Sequence, residues 1–255
     1  MISLGDASSL NLAVYNGPGA SLPEGWEEQD FVVDRETGLT MGHYSNGPRN
    51  YLAIRGSWNA SDVLPALRVF FGADPVERIQ VARDYIEGRF GKNPNPATLA
   101  VGGHSLGGLV AAAMAEEFRL PGLAQNSPGW MTRTPDLASL QRFIQVRTAR
   151  DVVADWGSVY PRSLMLTDPG LPRWGVTSLH NLEHQNRLLQ EHGLANHDVD
   201  SPGLGKIRQE IPVLPPTHLQ RLGRAMDRWR TAHELTHLHQ RLAGSSRPTP
   251  RTPTP

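Results

Sequence analysis

Residues 103–107 read Gly-His-Ser-Leu-Gly, a G-x-S-x-G pattern at the end of an apolar run and the start of an alanine-rich one. This pattern seats a serine on a sharp strand-to-helix turn, a nucleophile elbow. Gly103, His104 and Gly107 form the elbow around Ser105, and the small residues Gly102 and Gly108 beside them let the backbone close up. A serine hydroxyl is a weak nucleophile at its free pKa. The chemistry it could do here is acyl transfer, provided a histidine takes its proton and a carboxylate orients that histidine.

The acid and the histidine of an elbow serine follow it in the chain. In "RTARDVVADW", Asp151 stands just beyond the carboxyl end of an apolar stretch at 142–148, the sheet edge where sites of open α/β folds lie. Asp155 is the near rival, with Asp136 and Asp168 farther off. His180, in "GVTSLHNLEH", lies where a loop opens a helix with Ser178 as its expected cap. The chain has ten histidines, so His184, one helical turn on, stays open as the alternative, with His192 and His197 more distant. Two N–H donors must meet the developing oxyanion. The elbow supplies that of Leu106, and the loop in "AIRGSWNASDVL" offers Ser57 after Gly56.

A second motif competes. "HELTH" at 233–237 fits the zinc-binding H-E-x-x-H, with Glu234 as a base. His233 and His237 extend a stripe of Leu219, Leu222, Met226 and Trp229, but no third ligand follows. His239 falls on another face, and Gln240 and Ala243 stand where the extended zinc motif needs glycine and histidine. The expectation is therefore no metal and no cofactor, with this stretch a packing or surface helix. Its Arg221, Arg224, Arg228 and Arg230 make a basic face.

The elements that must position these residues follow from periodicity. "DFVVDRETGLTMGHYS" (30–45) predicts a β-hairpin, "NYLAIRGS" (50–57) a further strand, and "PVERIQVARDYIEGRF" (75–90) an amphipathic helix. "ATLAV" (97–101), "GLAQN" (122–126) and "RFIQVRT" (142–148) predict strands, the first apolar throughout as a strand covered on both faces should be. "LGGLVAAAMAEEF" (106–118) and "SLHNLEHQNRLLQEH" (178–192), closed by Gly193, predict helices. Alternating strands and helices imply an α/β fold. It is a mostly parallel sheet flanked by helices, with an N-terminal β-hairpin and a C-terminal helical extension.

The expected organisation is a domain over 1–200, a Pro-rich connector and C-terminal helix over 201–243, and a disordered tail over 244–255. The 255 residues carry 25 basic and 25 acidic side chains and no cysteine. That excludes thiol catalysis and disulfides, and no net field favours nucleic acid. No apolar run approaches the ~20 residues of a spanning helix, and the N-terminus lacks a signal-peptide pattern. The expected location is soluble, cytoplasmic or exported without such a signal; nothing specifies an oligomeric state.

Together these stretches resemble the class 3 lipases. "AIRGSWNASD" is similar to that family's strand-and-oxyanion segment, with Ser57 where threonine is commoner, and "VGGHSLGGLVAAAMA" to its elbow. "FVVDRETGLTMGHYSN", "AQNSPGW" and "RDVVADWG" resemble neighbouring segments, so the likeness spans about residues 10–195. The resemblance implies an α/β-hydrolase fold with catalytic Ser105, Asp151 and His180 and an oxyanion hole from Ser57 and Leu106. It also implies hydrolysis of acylglycerols or phospholipids at a membrane surface, and some bacterial members are effectors. The family's lid position falls on "DVLPALRVFFGADP", where Val63, Leu64, Phe70 and Phe71 would line an apolar flap; the alternative is the start of a core helix. Two further readings stay open: a small-ester esterase or thioesterase, and a lipid- or phosphoinositide-binding effector that keeps the elbow without turnover.

Overall fold

The structure, a computed structural model, describes residues 2–56, 75–129, 134–149, 151, 153–154, 160–166, 181–201 and 204. These lie in the first of two compact units, residues 1–209. The stretch from 210 on, with the HELTH motif and the expected basic helix, lies outside the described residues, as do residues 57–74, where the oxyanion loop and flap are expected.

The chain opens with a helix that the periodicity did not predict, α1 (Leu4–Asn16). Ser3 caps it by accepting the Asp6 N–H at 3.0 Å, Asp6 sits at the positive end of the helix dipole, and Gly17 ends it at φ +85°. The β-hairpin is therefore not the N-terminal element. It follows as β1 (Glu27–Val33) and β2 (Thr40–Asn46), and β3 (Arg49–Ile54) pairs antiparallel with β2.

From β3 onward every pairing is parallel. Helix α2 (Val76–Phe90) leads to β4 (Leu99–His104), and α3 (Leu106–Phe118) to β5 (Gly122–Gln125). Then come β6 (Phe143–Thr148), β7 (Ser163–Leu166) and α4 (Leu182–Glu191). The seven strands lie in the sheet in chain order. Strand β7 was not anticipated; at four residues it is too short to show a period.

Chain-order winding has a geometric result. Parallel crossovers are right-handed, so when each steps the same way along the sheet its connecting helix falls on the same face. Helices α2 and α3 share that face, and α3 lies against β3, β4 and β5. The other face is covered by α1 and α4, which pack on each other and on the sheet. Strands β4 and β6 are buried along their whole length, although β6 takes Gln145, Arg147 and Thr148 inside with it. Helix α3 is buried continuously from Leu106 to Ala115, the expected state of a helix apolar all round.

Edge strand β1 carries Glu27, Glu28 and Asp30 and a register shift between Glu28 and Asp30. Charge and irregularity both discourage pairing with another sheet.

Candidate active site

The elbow at the end of β4 is built by close approach. A Cβ on Gly107 would sit 2.1 Å from the Ile54 carbonyl oxygen, and one on Gly103 would sit 2.5 Å from the Gly107 carbonyl. Only hydrogen at both positions lets the start of α3 lie directly on the ends of β3 and β4. The chain turns between them at Ser105, which takes φ 55°, ψ −129°. A non-glycine residue there is strained by about 1–3 kcal/mol. The Ser105 N–H donates to the Gln125 carbonyl at 2.9 Å, and the Gly108 N–H donates to the Ser105 carbonyl at 3.0 Å. The turn is thus tied to β5 on one side and to its own helix on the other.

Ser105 occupies the N-cap position of α3, yet its side chain makes no capping bond. The hydroxyl is not spent on the helix, and the residue is 8% exposed. Leu106 opens α3, and among the described residues no acceptor meets its N–H. An unpaired N–H at a helix N-terminus attracts negative charge. Ser105 and Leu106 stand side by side at the elbow; Ser57, the other expected donor, lies outside the described residues, as do Val63, Leu64, Phe70 and Phe71.

Asp151 stands three residues past β6, in a turn closed by its N–H to the Thr148 carbonyl at 3.1 Å. It is fully buried, and its Oδ1 accepts the Val153 N–H at 2.9 Å. Strand β6 is two strands from β4, about 10 Å across the sheet, and both end at the same carboxyl edge. The rival Asp136 is exposed and serves its own turn. It accepts from Ser139 Oγ at 2.7 Å and the Ala138 N–H at 3.0 Å, bonds that hold its carboxyl below the usual range. Asp155 and Asp168 lie outside the described residues.

For the base, helix α4 starts later than predicted. Its cap is Asn181, whose side chain accepts the His184 N–H at 2.9 Å; the expected cap Ser178, like His180, lies outside the described residues. His184 Nδ1 lies 2.9 Å from Arg187 Nη2. A guanidinium can only donate, so this ring nitrogen is an acceptor facing a cation, not a donor to a carboxylate. His192 and His197 are exposed beyond the far end of α4, some 15 Å along the helix from its start.

Two positioning groups escaped the sequence reading. Asn126, at the end of β5 with φ 44°, accepts from the Thr148 N–H at 2.8 Å and from Gln185 Nε2 at 2.9 Å. It thereby brackets the end of the Asp151 strand to the second turn of α4. Nothing in "AQNSPGW" marks the bracket beyond asparagine's tolerance of left-handed backbone. The other is Tyr15, at the end of α1. Its hydroxyl accepts the Gly56 N–H at 2.9 Å and lies 2.9 Å from His104 Nδ1. The Ser3–Asp6 spacing and Gly17 could have announced its helix.

Among the described residues no cluster of three metal-ligating side chains occurs, and no helix is long and apolar enough to cross a membrane. No family model matches the chain, and no curated protein does. Solved structures do. The triacylglycerol lipase from Penicillium expansum is 16% identical, over 64% of this chain and 78% of that one, with a TM-score of 0.46. The native Rhizomucor miehei lipase propeptide complex is 16% identical, over 65% and 68%, with a TM-score of 0.44. The Lip2 lipase from Yarrowia lipolytica is 15% identical, over 58% and 72%, with a TM-score of 0.40.

Proposed function

We propose that this chain is a serine hydrolase of carboxylic esters, with Ser105 as nucleophile, His180 as base and Asp151 as the carboxylate that orients it. The observation that carries this reading is the backbone of Ser105. A non-glycine residue is held in a strained left-handed turn, its side chain excused from capping, directly before a helix N-terminus whose N–H meets no acceptor among the described residues. Strain of this kind survives only where surroundings over-determine it, and it clusters at active sites.

In the proposed reaction Ser105 Oγ attacks the ester carbonyl while His180 takes its proton. The tetrahedral oxyanion rests on the N–H groups of Leu106 and Ser57. Collapse expels the alcohol, which takes the proton from His180, and leaves an acyl-serine. Water, deprotonated by the same histidine, then releases the acid. His180 is preferred to His184 because the Nδ1 of His184 faces Arg187, where a triad histidine must present a donor to a carboxylate.

The proposed substrates are lipid esters, phospholipid or acylglycerol. This part rests on the class 3 resemblance of the oxyanion and elbow segments and on the apolar run around Phe70 and Phe71, because a fold by itself hosts many chemistries.

The test is labelling with a fluorophosphonate probe, comparing wild type with Ser105→Ala, Asp151→Asn, His180→Ala and His184→Ala. Labelling lost with Ser105 and His180 but kept without His184 is the expected result. Hydrolysis of phosphatidylcholine vesicles, a triacylglycerol emulsion and a monomeric p-nitrophenyl ester then assigns the substrate. A folded wild type that stays unlabelled with and without detergent overturns the catalytic reading.

A further inference from the structure

Tyr15 belongs to α1, an element of the sheet's opposite face that supplies none of the proposed reacting groups. Its hydroxyl nevertheless stands at the meeting point of three segments. It accepts the Gly56 N–H at 2.9 Å, just past the end of β3, and lies 2.9 Å from Nδ1 of His104, the residue before Ser105. The His104 ring meets the Tyr15 ring edge-on, with centroids 5.7 Å apart. A hydroxyl has one hydrogen to give. With Gly56 donating to the oxygen, that hydrogen lies within reach of His104 Nδ1. Burial pushes the Tyr15 phenol well above its usual pKa, so the hydroxyl keeps its proton at neutral pH.

Gly56 is equally hemmed in on its other side. A Cβ there would sit 2.6 Å from the His104 carbonyl oxygen, 2.8 Å from the Tyr15 hydroxyl and 2.9 Å from Ser105 Cβ. The backbone leading into Ser57 is therefore pressed against the backbone of the elbow, and its free N–H is pinned by one phenol. An oxyanion hole works only if its two donors keep a fixed separation, because each must reach the same oxygen at about 2.7–3.1 Å. The elbow fixes the Leu106 N–H by itself. The other half of the hole enters through Gly56.

We infer that Tyr15 is a positioning residue for the oxyanion hole, one hydroxyl locking the Gly56 backbone to the His104–Ser105 elbow. The inference rests on the proposed hydrolase reading and assigns α1 a part in it. Loss of the hydroxyl loosens one donor relative to the other without removing either. Transition-state binding then suffers while ground-state substrate binding does not.

The test is Tyr15→Phe, which keeps the ring and deletes the bond. Its control is Tyr51→Phe, since Tyr51 is another buried phenol bonded to α1, through Asn11 Oδ1 at 3.0 Å, but makes no hydrogen bond to Gly56. On a monomeric p-nitrophenyl ester, Tyr15→Phe should lower kcat about 10- to 100-fold, below the ~100- to 1,000-fold loss for deleting an oxyanion donor outright. KM should stay within about twofold, and a boronic acid that mimics the tetrahedral state should weaken by the same factor as kcat. Tyr51→Phe should keep kcat whatever it costs in stability. Amide hydrogen exchange supplies a readout apart from turnover: the Gly56 N–H should exchange faster in Tyr15→Phe and not in Tyr51→Phe. A Tyr15→Phe enzyme with wild-type kcat, or with unchanged Gly56 exchange, overturns the inference and leaves the hydrolase reading standing. A wild type that takes no fluorophosphonate overturns the hydrolase reading and the catalytic role of Tyr15 with it, while Gly56 exchange still reports the bond.

Discussion

Replacing Asn126 with alanine should be among the most damaging single changes outside the reacting groups, and the structure allows its cost to be worked out. Asn126, Thr148 and Gln185 are each no more than 1% exposed. The change deletes the acceptor for the Thr148 N–H at 2.8 Å and for Gln185 Nε2 at 2.9 Å, and the donor to Thr148 Oγ1 at 3.3 Å. Gln185 Nε2 keeps the Val146 carbonyl at 3.1 Å, so its loss is one ordinary bond, about 1 kcal/mol net. The Thr148 N–H is left buried, costing about 1–3 kcal/mol. Alanine at φ 44° adds about 1 kcal/mol of strain that asparagine tolerates better. The total is about 4 kcal/mol, which for a unit of this size lowers Tm by about 8–16 °C. Asn126→Gly loses the same bonds without the strain, so it should melt above Asn126→Ala. Thermal melts followed by circular dichroism measure both. A fall in Tm under about 3 °C, or a glycine variant melting below the alanine one, would refute the bracket as described.

Ser105→Gly removes the side chain from a left-handed turn, and we expect Tm to rise by about 2–4 °C, roughly 1 kcal/mol, while probe labelling disappears; a lower Tm would mean that the elbow is not strained. Gly107→Ala drives a Cβ to within 2.1 Å of the Ile54 carbonyl oxygen, a backbone clash beyond the ordinary ~1–3 kcal/mol of overpacking. It should yield little soluble protein, and a soluble, fully labelled variant would contradict the packing. Asp34 accepts the Glu36 and Thr37 N–H groups, and these bonds depress its pKa. Its stabilising contribution is therefore complete above its unfolded pKa near 4 and is lost as pH falls through the lower folded value. Asp34→Asn should flatten the fall of Tm with acid below about pH 4, and an unchanged slope would count against those bonds.

Where local pattern and tertiary demand agree, the elements were legible from residues alone. The span 106–118 is alanine-rich and buried on all sides as far as Ala115, so composition and burial pointed the same way, and α3 has those bounds. Strand β4 runs on to His104, past the expected end at Val101, because Gly102 and Gly103 carry no strand propensity of their own and are extended only by β3 and β5 on either side. Helix α1 stayed hidden for a different reason. Its buried face includes Ser8 and Asn11, which break the apolar period and are satisfied by Gln125, Asn186 and Tyr51. Those partners sit far along the chain, beyond the reach of any local pattern.

Of the proposed site, Ser105 and Asp151 could be named because strand ends announce them. Tyr15 and Asn126 could not, since each acts through backbone groups that every residue possesses. Helix α4 was expected from Ser178, but the asparagine at 181 caps it; serine and asparagine signal a start equally well, and only the fold decides between them.

The hydrogen bonds of Ile2, Leu4 and Gly5 to Val199, His197 and Ala195 carry a consequence for the order of assembly. Sheet and crossover helices can accrete in the sequence in which a ribosome delivers them, each strand pairing with its predecessor. Helix α1 emerges before the sheet, but its polar face is completed only when Gln125 and Asn186 have been made. The nascent chain must therefore carry a half-satisfied helix until Asn186 has been made, and can seat it fully only then. Because Tyr15 rides on that helix, the Gly56 bond belongs to the same docking event, and an unfinished polypeptide would hold a serine elbow without its lock.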